Sequence, residues 1–352
     1  MMLTDIFAER YAVVPVWQTY GESERRLLVQ AFRILSEQLF PYWTHDGKER
    51  DDAKTTWKSI HDRLSMELGL QQLSPLYYQV AGSAAWIPLA MVHVCNNFVC
   101  SNYDPSIPAD RFVKERLSLV EIAFRDREIA LAEQNAEFAK RVAQAEFLER
   151  VLPGNPGQRR MLIPSNRADG LRVANAMVNR NFRSNVDELN ERLRRAGTRL
   201  NYHNGFIQMV EDPLVEQQIE APFWSLVKDP KWANVDTDMK EAIDRRDCGG
   251  RDPALYAAKA LESTIKIISG EKGWTHGGER GAHGYIDNLA STKNGAFISR
   301  WEQSALKLIF SDVRNELGHG PGNEPMPELT MQQTSWTIET CMAWIKSFIL
   351  RM

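Results

Sequence analysis

Residues 252–270 read DPALYAAKALESTIKIISG and carry a clear helix start and a clear helix stop. Asp252 is predicted to cap the amino end, and Pro253 suits the first helical position, where no backbone N–H is needed. The helix is expected to fill the segment and to end at Gly270. Because the turn at Cys248-Gly249-Gly250 marks a boundary just before it, this helix is predicted to open the last domain.

The sequence after this helix predicts a bundle. The expected elements are a glycine-rich loop at Gly273–Gly284, a short helix near Tyr285–Ala290, a long amphipathic helix over about Ala296–Leu317 and a final helix over about Thr330–Leu350. Four helices within about 100 residues are typical of a helical bundle.

Helical periodicity also dominates the sequence before this domain. Apolar residues recur at helical spacing in Arg25–Leu39 and in Thr55–Leu68. Ala84–Cys100 is apolar on most sides, which predicts a buried helix that starts or kinks at Pro88. Asp110–Leu152 contains no Pro or Gly, so a long helical arm or an antiparallel helix pair is expected.

A linker and a hairpin follow. Pro153-Gly154-Asn155-Pro156-Gly157 is the strongest linker signal in the chain, and helix resumes near Arg167. Two stretches with the period of a strand, Thr198–His203 and Phe206–Val210, flank Asn204-Gly205, the pair favoured in type I′ hairpin turns. Shorter helices are expected at Pro222–Val227 and Asp236–Arg246.

These patterns predict a mainly α protein of three parts. Residues 1–152 form a helical domain, residues 153–247 form a middle helical region with one β-hairpin, and residues 248–352 form a four-helix bundle. Four cysteines without CxxC spacing argue against a zinc ribbon or a disulfide framework and fit a reducing compartment. The amino end does not resemble a signal peptide, and the best apolar run, Ala84–Val94, is too short to span a bilayer. The chain is therefore expected to be cytoplasmic and without membrane contact.

Charge is distributed unevenly along the chain. Lys140–Leu200, which we call the basic band, holds 13 Lys and Arg against 6 Asp and Glu, a net charge of +7 in a protein of net charge −3. A basic band in an otherwise acidic protein can bind a polyanion. A solvated helical surface rich in arginine explains the same composition, and the sequence leaves both interpretations open.

The segment that carries chemistry is Ser311–Gly320, which reads SDVRNELGHG. Arg314 falls on the last turn of the long amphipathic helix. Gly318, Gly320 and the following proline stop the helix, so the chain must turn and can bring the His319 imidazole back beside the Arg314 guanidinium. An Arg and a His at a helix end form a compact anion site.

These two residue types suit metal-free cleavage of RNA. The 2′-OH must lose a proton, the 5′-oxygen must gain one, and the phosphorane carries extra negative charge. A histidine, with an unperturbed pKa of about 6.5, can transfer the protons. An arginine can hold two phosphate oxygens in its planar fork. Because no cluster of Asp and Glu of the kind that binds Mg²⁺ stands out, we expect neither a metal nor a cofactor.

The pattern resembles the HEPN superfamily, which is defined by an Arg, four to six residues and a His. Arg314-Asn315-x-x-x-His319-Gly320 is similar to its abortive-infection C-terminal family, in which a polar residue, often Asn, follows the Arg. Asp252-Pro253, the following alanines and Leu261-Glu262 resemble the first helix of that family. The resemblance covers about residues 247–351 and implies that the predicted bundle is a HEPN ribonuclease domain.

A second resemblance covers about 150 residues of the amino-terminal part. Phe7-Ala8-Glu9-Arg10-Tyr11, the helix with Arg25-Arg26-Leu27 and the stretch Trp57–Leu64 resemble the N-terminal domains of AbiJ-like bacterial phage-defence proteins. This resemblance implies a role in abortive infection and identifies no ligand.

Together the two resemblances predict an endoribonuclease of antiphage defence. His319 is expected to act as general acid and base and Arg314 to bind the scissile phosphate. The other candidates are Asn315 and Glu262 at the catalytic site, and the RNA contacts Arg159, Arg160, Arg167 and Arg280. Because one histidine cannot easily serve as both acid and base in one step, a homodimer with two Arg–His pairs in one cleft is expected. A partner defence protein is a further expectation.

Simpler interpretations exist for each feature. His319 can cap the helix end with Arg314 as a solvated surface charge, and Glu262 can form a surface ion pair with Lys266 one turn later. The loop around Arg280, with His276, Glu279 and His283, lacks a P-loop pattern and gives an incomplete metal set, so it is predicted to be a mobile loop on the substrate side. The bundle could also be a non-catalytic nucleotide- or RNA-binding module, or a regulatory scaffold for a partner enzyme.

Overall fold

The computed structural model describes residues 6–80, 84–151, 167–315 and 329–352. The chain is mainly helical, as predicted. It divides into two compact units. The amino-terminal unit comprises Ile6–Ala8 and Pro15–Ile207, and the carboxy-terminal unit comprises Glu9–Val14 and Gln208–Met352. In the described part of the chain, no helix is long and apolar enough to cross a membrane.

The amino-terminal unit is built from helices with two short hairpins. In chain order the elements are α1 (Phe7–Arg10), α2 (Glu22–Arg33) continued by a π-helical turn (Ile34–Leu39), α3 (Asp51–Glu67), β1 (Tyr77–Gln79), β2 (Trp86–Pro88), α4 (Met91–Val99), α5 (Ala109–Val151), α6 (Arg167–Arg195), β3 (Leu200–His203) and β4 (Phe206–Met209). The last residues of α1 and of β4 fall within the residue range of the other unit. Helices α2, α3, α4 and α6 all pack against α5, which is therefore the central helix of the unit.

Helix α5 is a single helix of 43 residues. It is buried on every side from Phe112 to Arg125, and beyond that point most side chains are exposed. The exposed part runs antiparallel to α6, since Asn135 is hydrogen bonded to Asn179, and Val142 and Ala145 pack near Ala168. The long arm and the antiparallel pair expected from the sequence thus occur together.

The hairpin predicted at Asn204-Gly205 is present. Both residues have positive φ, 42° and 88°, as a type I′ turn requires. The turn is fixed to α5 because the Nε of Arg125 donates to the Gly205 carbonyl at 2.8 Å, and the Glu121 carboxylate accepts from the Ile207 N–H at 2.8 Å. A Cβ at position 205 would lie 3.1 Å from the Cγ of Arg125, so glycine is favoured there by both conformation and space.

A second hairpin replaces the first part of the helix predicted for Ala84–Cys100. Strand β2 pairs antiparallel with β1, with Gln79 opposite Trp86 and Tyr77 opposite Pro88. Helix begins only at Met91. The prediction was wrong because Pro88 lacks an N–H and forces the residue before it into extended backbone, which favours a strand end over a helix interior.

The carboxy-terminal unit contains the remaining helices. They are α7 (Pro213–Val215) followed by a π-helical turn (Glu216–Glu220), α8 (Ala221–Leu226), a 3-10 turn (Pro230–Trp232), α9 (Ala233–Asp247), α10 (Pro253–Glu271), α11 (Gly281–Ala290), a second 3-10 turn (Thr292–Asn294), α12 (Arg300–Leu308), the π segment (Ile309–Asn315) and α13 (Met331–Arg351). Helix α10 is central, because α9, α11, α13 and the π segment all pack against it. The four helices predicted after residue 248 are thus α10, α11, α12 with the π segment, and α13.

Helices α8 and α9 belong to the same core as these four helices. Phe223, Trp224 and Met239 are buried in one cluster with residues of α10 and α13 such as Leu261 and Ile345. The sequence interpretation assigned α8 and α9 to the middle region because a glycine pair separates α9 from α10. In the structure that pair is a tight turn within one packed unit.

Two predicted helix starts differ in detail. Asp252 is the N-cap residue of α10 and Pro253 its first residue, as predicted, but Asp252 has a positive φ of 55° and its side chain forms no capping hydrogen bond. The long helix expected from Ala296 begins at Arg300, where Ser299 and Glu302 form a reciprocal capping box. In that box the Ser299 N–H donates to the Glu302 carboxylate at 2.7 Å.

The residues Arg10 and Tyr11 of the amino-terminal motif have a structural role in the carboxy-terminal unit. The buried Tyr11 hydroxyl donates to the Asp247 carboxylate at 2.8 Å, and the Nε of Arg10 lies 3.0 Å from the Asp244 carboxylate. The Gln208 side-chain amide donates to Asp244 at 2.6 Å. These bonds fix the Glu9–Val14 segment to helix α9.

Candidate functional site

Arg314 and Asn315 are the last two residues of the π segment. The sequence predicted ordinary α-helix here as far as Leu317. Short π-helical stretches occur often at functional sites, because the wider turn moves side chains out of the α-helical register. The side chains of Arg314 and Asn315, and the whole of His319, lie outside the described residues, so the predicted Arg–His contact stays a prediction.

Glu262 is buried on α10, the helix against which the π segment packs. Its carboxylate forms an ion pair with Lys266 at 2.9 Å, one turn further along the helix. The carboxylate is only 8% exposed, whereas the lysine is 49% exposed. The predicted ion pair between Glu262 and Lys266 is therefore present. Glu262 itself is buried in the bundle and is not a surface residue.

His283, which the sequence grouped with His276 and Glu279 in a loop predicted to be mobile, is a further candidate for this site. It lies in the first part of α11, and its Nε2 is 3.4 Å from the Ser311 hydroxyl of the π segment. It is partly exposed, so its imidazole remains accessible to solvent. The π segment that carries Arg314 therefore has a histidine beside it. The sequence shows that His283 lies in the glycine-rich Gly273–Gly284 stretch. It does not show the contact, because His283 and Ser311 are 28 residues apart in the chain.

The loop before α11 is held by Glu279. Its carboxylate accepts hydrogen bonds from the backbone N–H groups of His276 (2.6 Å) and Gly277 (3.0 Å), and from the Asn288 side chain at 2.8 Å. The hydrogen bonds from the backbone lower the pKa of Glu279 to about 2. The carboxylate is therefore ionised at neutral pH and can accept all three hydrogen bonds. They hold this part of the loop, which was predicted to be mobile, in one conformation. Arg280 follows it as an exposed residue at the start of α11.

Part of the basic band can be located. Arg159 and Arg160 lie outside the described residues, and Arg167 is the first residue of α6, with a side chain that is not described. Several band arginines form ion pairs with acidic neighbours, among them Arg172 with Asp169 at 2.7 Å and Arg194 with Glu191 at 2.6 Å. Four other band arginines are exposed and form no ion pair among the described residues: Arg141, Arg180, Arg183 and Arg199. The band therefore combines ion-paired and unpaired positive charge.

Among the residues with described placement, no three His, Cys, Asp or Glu side chains come together as a metal-ion set. His276, Glu279 and His283 are the histidines and the carboxylate that the sequence grouped in the loop. The Glu279 carboxylate is instead hydrogen bonded to the loop backbone.

Comparison with known proteins identifies a family for most of the chain. The sequence profile described as AbiJ N-terminal domain 4 matches residues 5–225, a range that includes the amino-terminal unit and extends into α8. No curated protein and no solved structure matches the chain. Because the match covers more than half of the 352 residues, the chain belongs to the AbiJ N-terminal domain 4 family and is an abortive-infection type protein.

Proposed function

We propose that the protein is a metal-independent endoribonuclease that acts as an effector of abortive-infection defence against phage. The family supports the defence role, and the Arg314–His319 pattern supports the activity. The observation that carries the proposal is the packing of the Arg314-bearing π segment against α10, the helix of the buried Glu262, with His283 3.4 Å from Ser311 of the same segment. Three polar groups suited to RNA cleavage thus belong to adjoining elements of one bundle.

The proposed reaction is a transesterification. A histidine removes the proton of the 2′-OH, the 2′-oxygen forms a bond to phosphorus, and the bond from phosphorus to the 5′-oxygen breaks. The leaving 5′-oxygen takes up a proton from a second acid. The products are a 2′,3′-cyclic phosphate and a 5′-hydroxyl, and Arg314 stabilises the negative charge of the phosphorane through its planar fork.

Two arrangements can supply the second proton-transfer group. In the first, a two-fold dimer brings His319 of each copy to one cleft. In the second, His283 of the same chain acts with His319, since it already lies against the π segment. The first arrangement requires self-association, and the second does not.

An exposed apolar stripe on α12 supports self-association of the bundle. Trp301 is 69% exposed and Leu308 is 60% exposed, and residues seven positions apart share one face of a helix. The Trp301 ring is 6.2 Å from the Trp344 ring of α13, which continues the aromatic surface. Adjacent exposed aromatic and aliphatic side chains favour a protein–protein contact.

The test of the proposal is to incubate the purified protein with total RNA in the presence of EDTA. We expect cleavage that persists in EDTA and leaves 2′,3′-cyclic phosphate ends, because the nucleophile is the neighbouring 2′-OH. Binding of RNA without any cleavage would instead favour the non-catalytic module. Absence of both would favour the scaffold for a partner enzyme.

A charged variant of the α12 stripe separates the two arrangements. We expect the wild-type protein to be a dimer at micromolar concentration by light scattering, and Trp301→Glu with Leu308→Glu to convert it to a monomer. If the composite site is correct, the monomer loses cleavage while His283→Ala retains it. A monomeric variant that still cleaves RNA and depends on His283 would support the single-chain arrangement and exclude the dimeric site.

The basic band is expected to bind the RNA backbone. Reversing the charge of Arg159, Arg160 and Arg167 should weaken RNA binding and reduce its dependence on salt, because phosphate contacts release counterions. Binding is measured by fluorescence anisotropy at several salt concentrations. The control variant reverses the charge of Arg25 and Arg33. Both are exposed on α2 and form ion pairs, as several arginines of the basic band do. Equal losses in both variants would mean that the band is only a solvated surface.

A further inference from the structure

A pocket of about 380 Å³ lies between helices α2 and α6 of the amino-terminal unit. Four residues at positions i, i+3, i+4 and i+7 of α2 form one wall, and three residues at the carboxyl end of α6 form the other. The lining residues are Ser23, Arg26, Leu27, Gln30, Arg192, Arg195 and Ala196. Because residues with this spacing share one face of a helix, each helix presents a single face to the pocket.

Three of the lining residues are arginines, and none of them is acidic. The side chains of Arg26 and Arg195 are 65% and 62% exposed, and that of Arg192 is 24% exposed. The Ser23 hydroxyl and the Gln30 amide also line the pocket, and neither has a hydrogen-bond partner among the residues that the structure describes. The pocket therefore combines positive charge with uncharged hydrogen-bond donors.

Arg192 has one terminal nitrogen that is not used by the protein. The Nε and the other terminal nitrogen both donate to the Glu188 carboxylate, the Nε at 2.8 Å. The remaining nitrogen has no hydrogen-bond partner in the described part of the chain, and it retains contact with solvent. A donor of this residue is thus available to a ligand from outside.

The two arginines of α2 share one carboxylate unequally. Glu22 accepts two hydrogen bonds from Arg25, at 3.1 and 3.0 Å, whereas Arg26 approaches the same carboxylate only at 3.6 Å. Arg26 lines the pocket and Arg25 does not. The arginine in the pocket is therefore the one whose charge is less well balanced.

The same arrangement occurs on α6. Glu191 accepts from the Nε of Arg194 at 2.9 Å and from one of its terminal nitrogens at 2.6 Å, but from Arg195 it accepts only the Nε, at 2.5 Å. Both terminal nitrogens of Arg195 are without a partner within the described ranges. Arg195 lines the pocket and Arg194 does not. On both helices, the shared glutamate binds the outer arginine through two nitrogens and leaves donors of the pocket arginine free.

This pattern favours a compact anion with several negative charges. Guanidinium groups bind phosphate oxygens strongly because charge and planar geometry both match. The carboxylates of Glu22, Glu188 and Glu191 offset part of the positive charge, but none of them lines the pocket. An anion that spans the space between the helices can accept hydrogen bonds from both at once. An arginine-rich surface without a ligand gives no reason for the free donors to be collected in one concave site.

We propose that this pocket binds a small molecule with two or more adjacent phosphate groups, held by Arg26 of α2 and by Arg192 and Arg195 of α6. The site lies within the segment that matches the family profile. It gives this segment a ligand of its own, and it does not depend on whether the carboxy-terminal bundle cleaves RNA.

The proposal is tested on the full chain by isothermal titration calorimetry with inorganic tripolyphosphate as the probe. The buffer contains no divalent cations and has physiological ionic strength, so that weak attraction to exposed charges is screened. We expect tripolyphosphate to bind at least about tenfold more tightly than orthophosphate, because only the longer anion reaches arginines of both helices. Equal affinities, or no binding of tripolyphosphate at millimolar concentration, would overturn the proposal.

A pair of matched double variants locates the binding. Arg26→Gln with Arg195→Gln should lower the affinity for tripolyphosphate at least about tenfold, because each change removes a donor from the pocket. Arg25→Gln with Arg194→Gln removes the same charge from the same two helices and the same shared glutamates, and should leave the affinity within about threefold of the wild type. Equal losses in the two variants would mean non-specific attraction to the basic surface and would refute the site.

An RNA strand is the other occupant to test, since Arg192 and Arg195 belong to the basic band. The probe is a short single-stranded RNA with a 5′-hydroxyl and with 2′-O-methyl groups, which prevent attack by the 2′-oxygen. If this RNA binds through the pocket arginines and tripolyphosphate does not bind, the arginines are part of an RNA-binding surface and the proposal is wrong. Tripolyphosphate binding that is lost only in the pocket variant supports the proposal.

Discussion

We expect replacement of His319 with alanine to lower the rate of RNA cleavage by roughly 10²–10⁴-fold, because it removes a group that transfers protons in the transition state. Arg314→Ala should weaken both RNA binding and turnover, since the phosphorane loses its charge partner. Arg314→Lys should restore little activity, because an ammonium group cannot reproduce the bidentate fork. Initial cleavage rates on one RNA substrate, with and without EDTA, measure all three effects.

The controls for these variants are residues of the same type in the same unit. His276→Ala and Arg300→Ala remove an exposed histidine and an exposed arginine, and they should leave cleavage within about threefold of the wild type. Circular dichroism should show unchanged helicity for every variant, because neither Arg314 nor His319 is part of the apolar pattern that the sequence assigns to the bundle core. If the alanine variants fold and cleave at the parental rate, the motif is a helix cap and the nuclease proposal fails.

The second large effect is expected at Glu121 in the centre of the amino-terminal unit. Its side chain is completely buried, pairs with Arg125 at 2.5 Å and accepts the Ile207 N–H at 2.8 Å. Glu121→Ala should reduce the free energy of unfolding by about 3–5 kcal/mol, because it removes this carboxylate from a buried guanidinium and from a buried backbone donor. Urea denaturation followed by circular dichroism measures the loss.

A surface carboxylate of the same helix provides the comparison. Glu137 is 61% exposed and pairs with Lys140, so Glu137→Ala should change the free energy of unfolding by less than about 1 kcal/mol. Glu121→Gln keeps an acceptor for the Ile207 N–H and should fall between the two alanine variants. If Glu121→Ala lowers the free energy of unfolding no more than Glu137→Ala does, the Glu121–Arg125 ion pair does not stabilise the attachment of the hairpin to α5.

Features encoded by neighbouring residues were predictable. The type I′ turn at Asn204-Gly205 follows from backbone conformations that only a few residue types accept, and its prediction is confirmed. Most of the longer helices were also found, since repeated apolar spacing or, for α5, the absence of Pro and Gly marks them. The hairpin of β1 and β2 was missed because the apolar run Ala84–Cys100 has no distinct period, and such a run is compatible with a buried strand as well as with the buried helix that was predicted.

Features that depend on long-range packing were not predictable. Local signals placed a boundary at the glycine pair before α10, but they do not reveal that Phe223 and Trp224 share a core with α13. In the same way, the contact of His283 with Ser311 joins residues that no sequence motif links. The catalytic assignment of Arg314, Asn315, His319 and Glu262 rests on resemblance and stays a prediction.

The shared core of α8, α9 and the later helices limits how this protein can be recombined with its relatives. The family segment ends at residue 225, inside α8, whereas Phe223 and Trp224 just before that point are buried against helices that come later in the chain. A genetic crossover at this end of the segment would take these two side chains from one parent and their packing partners from the other. Chimeras joined upstream of α7 would inherit Phe223, Trp224 and the helices that pack against them from a single parent and should be more often compatible with folding.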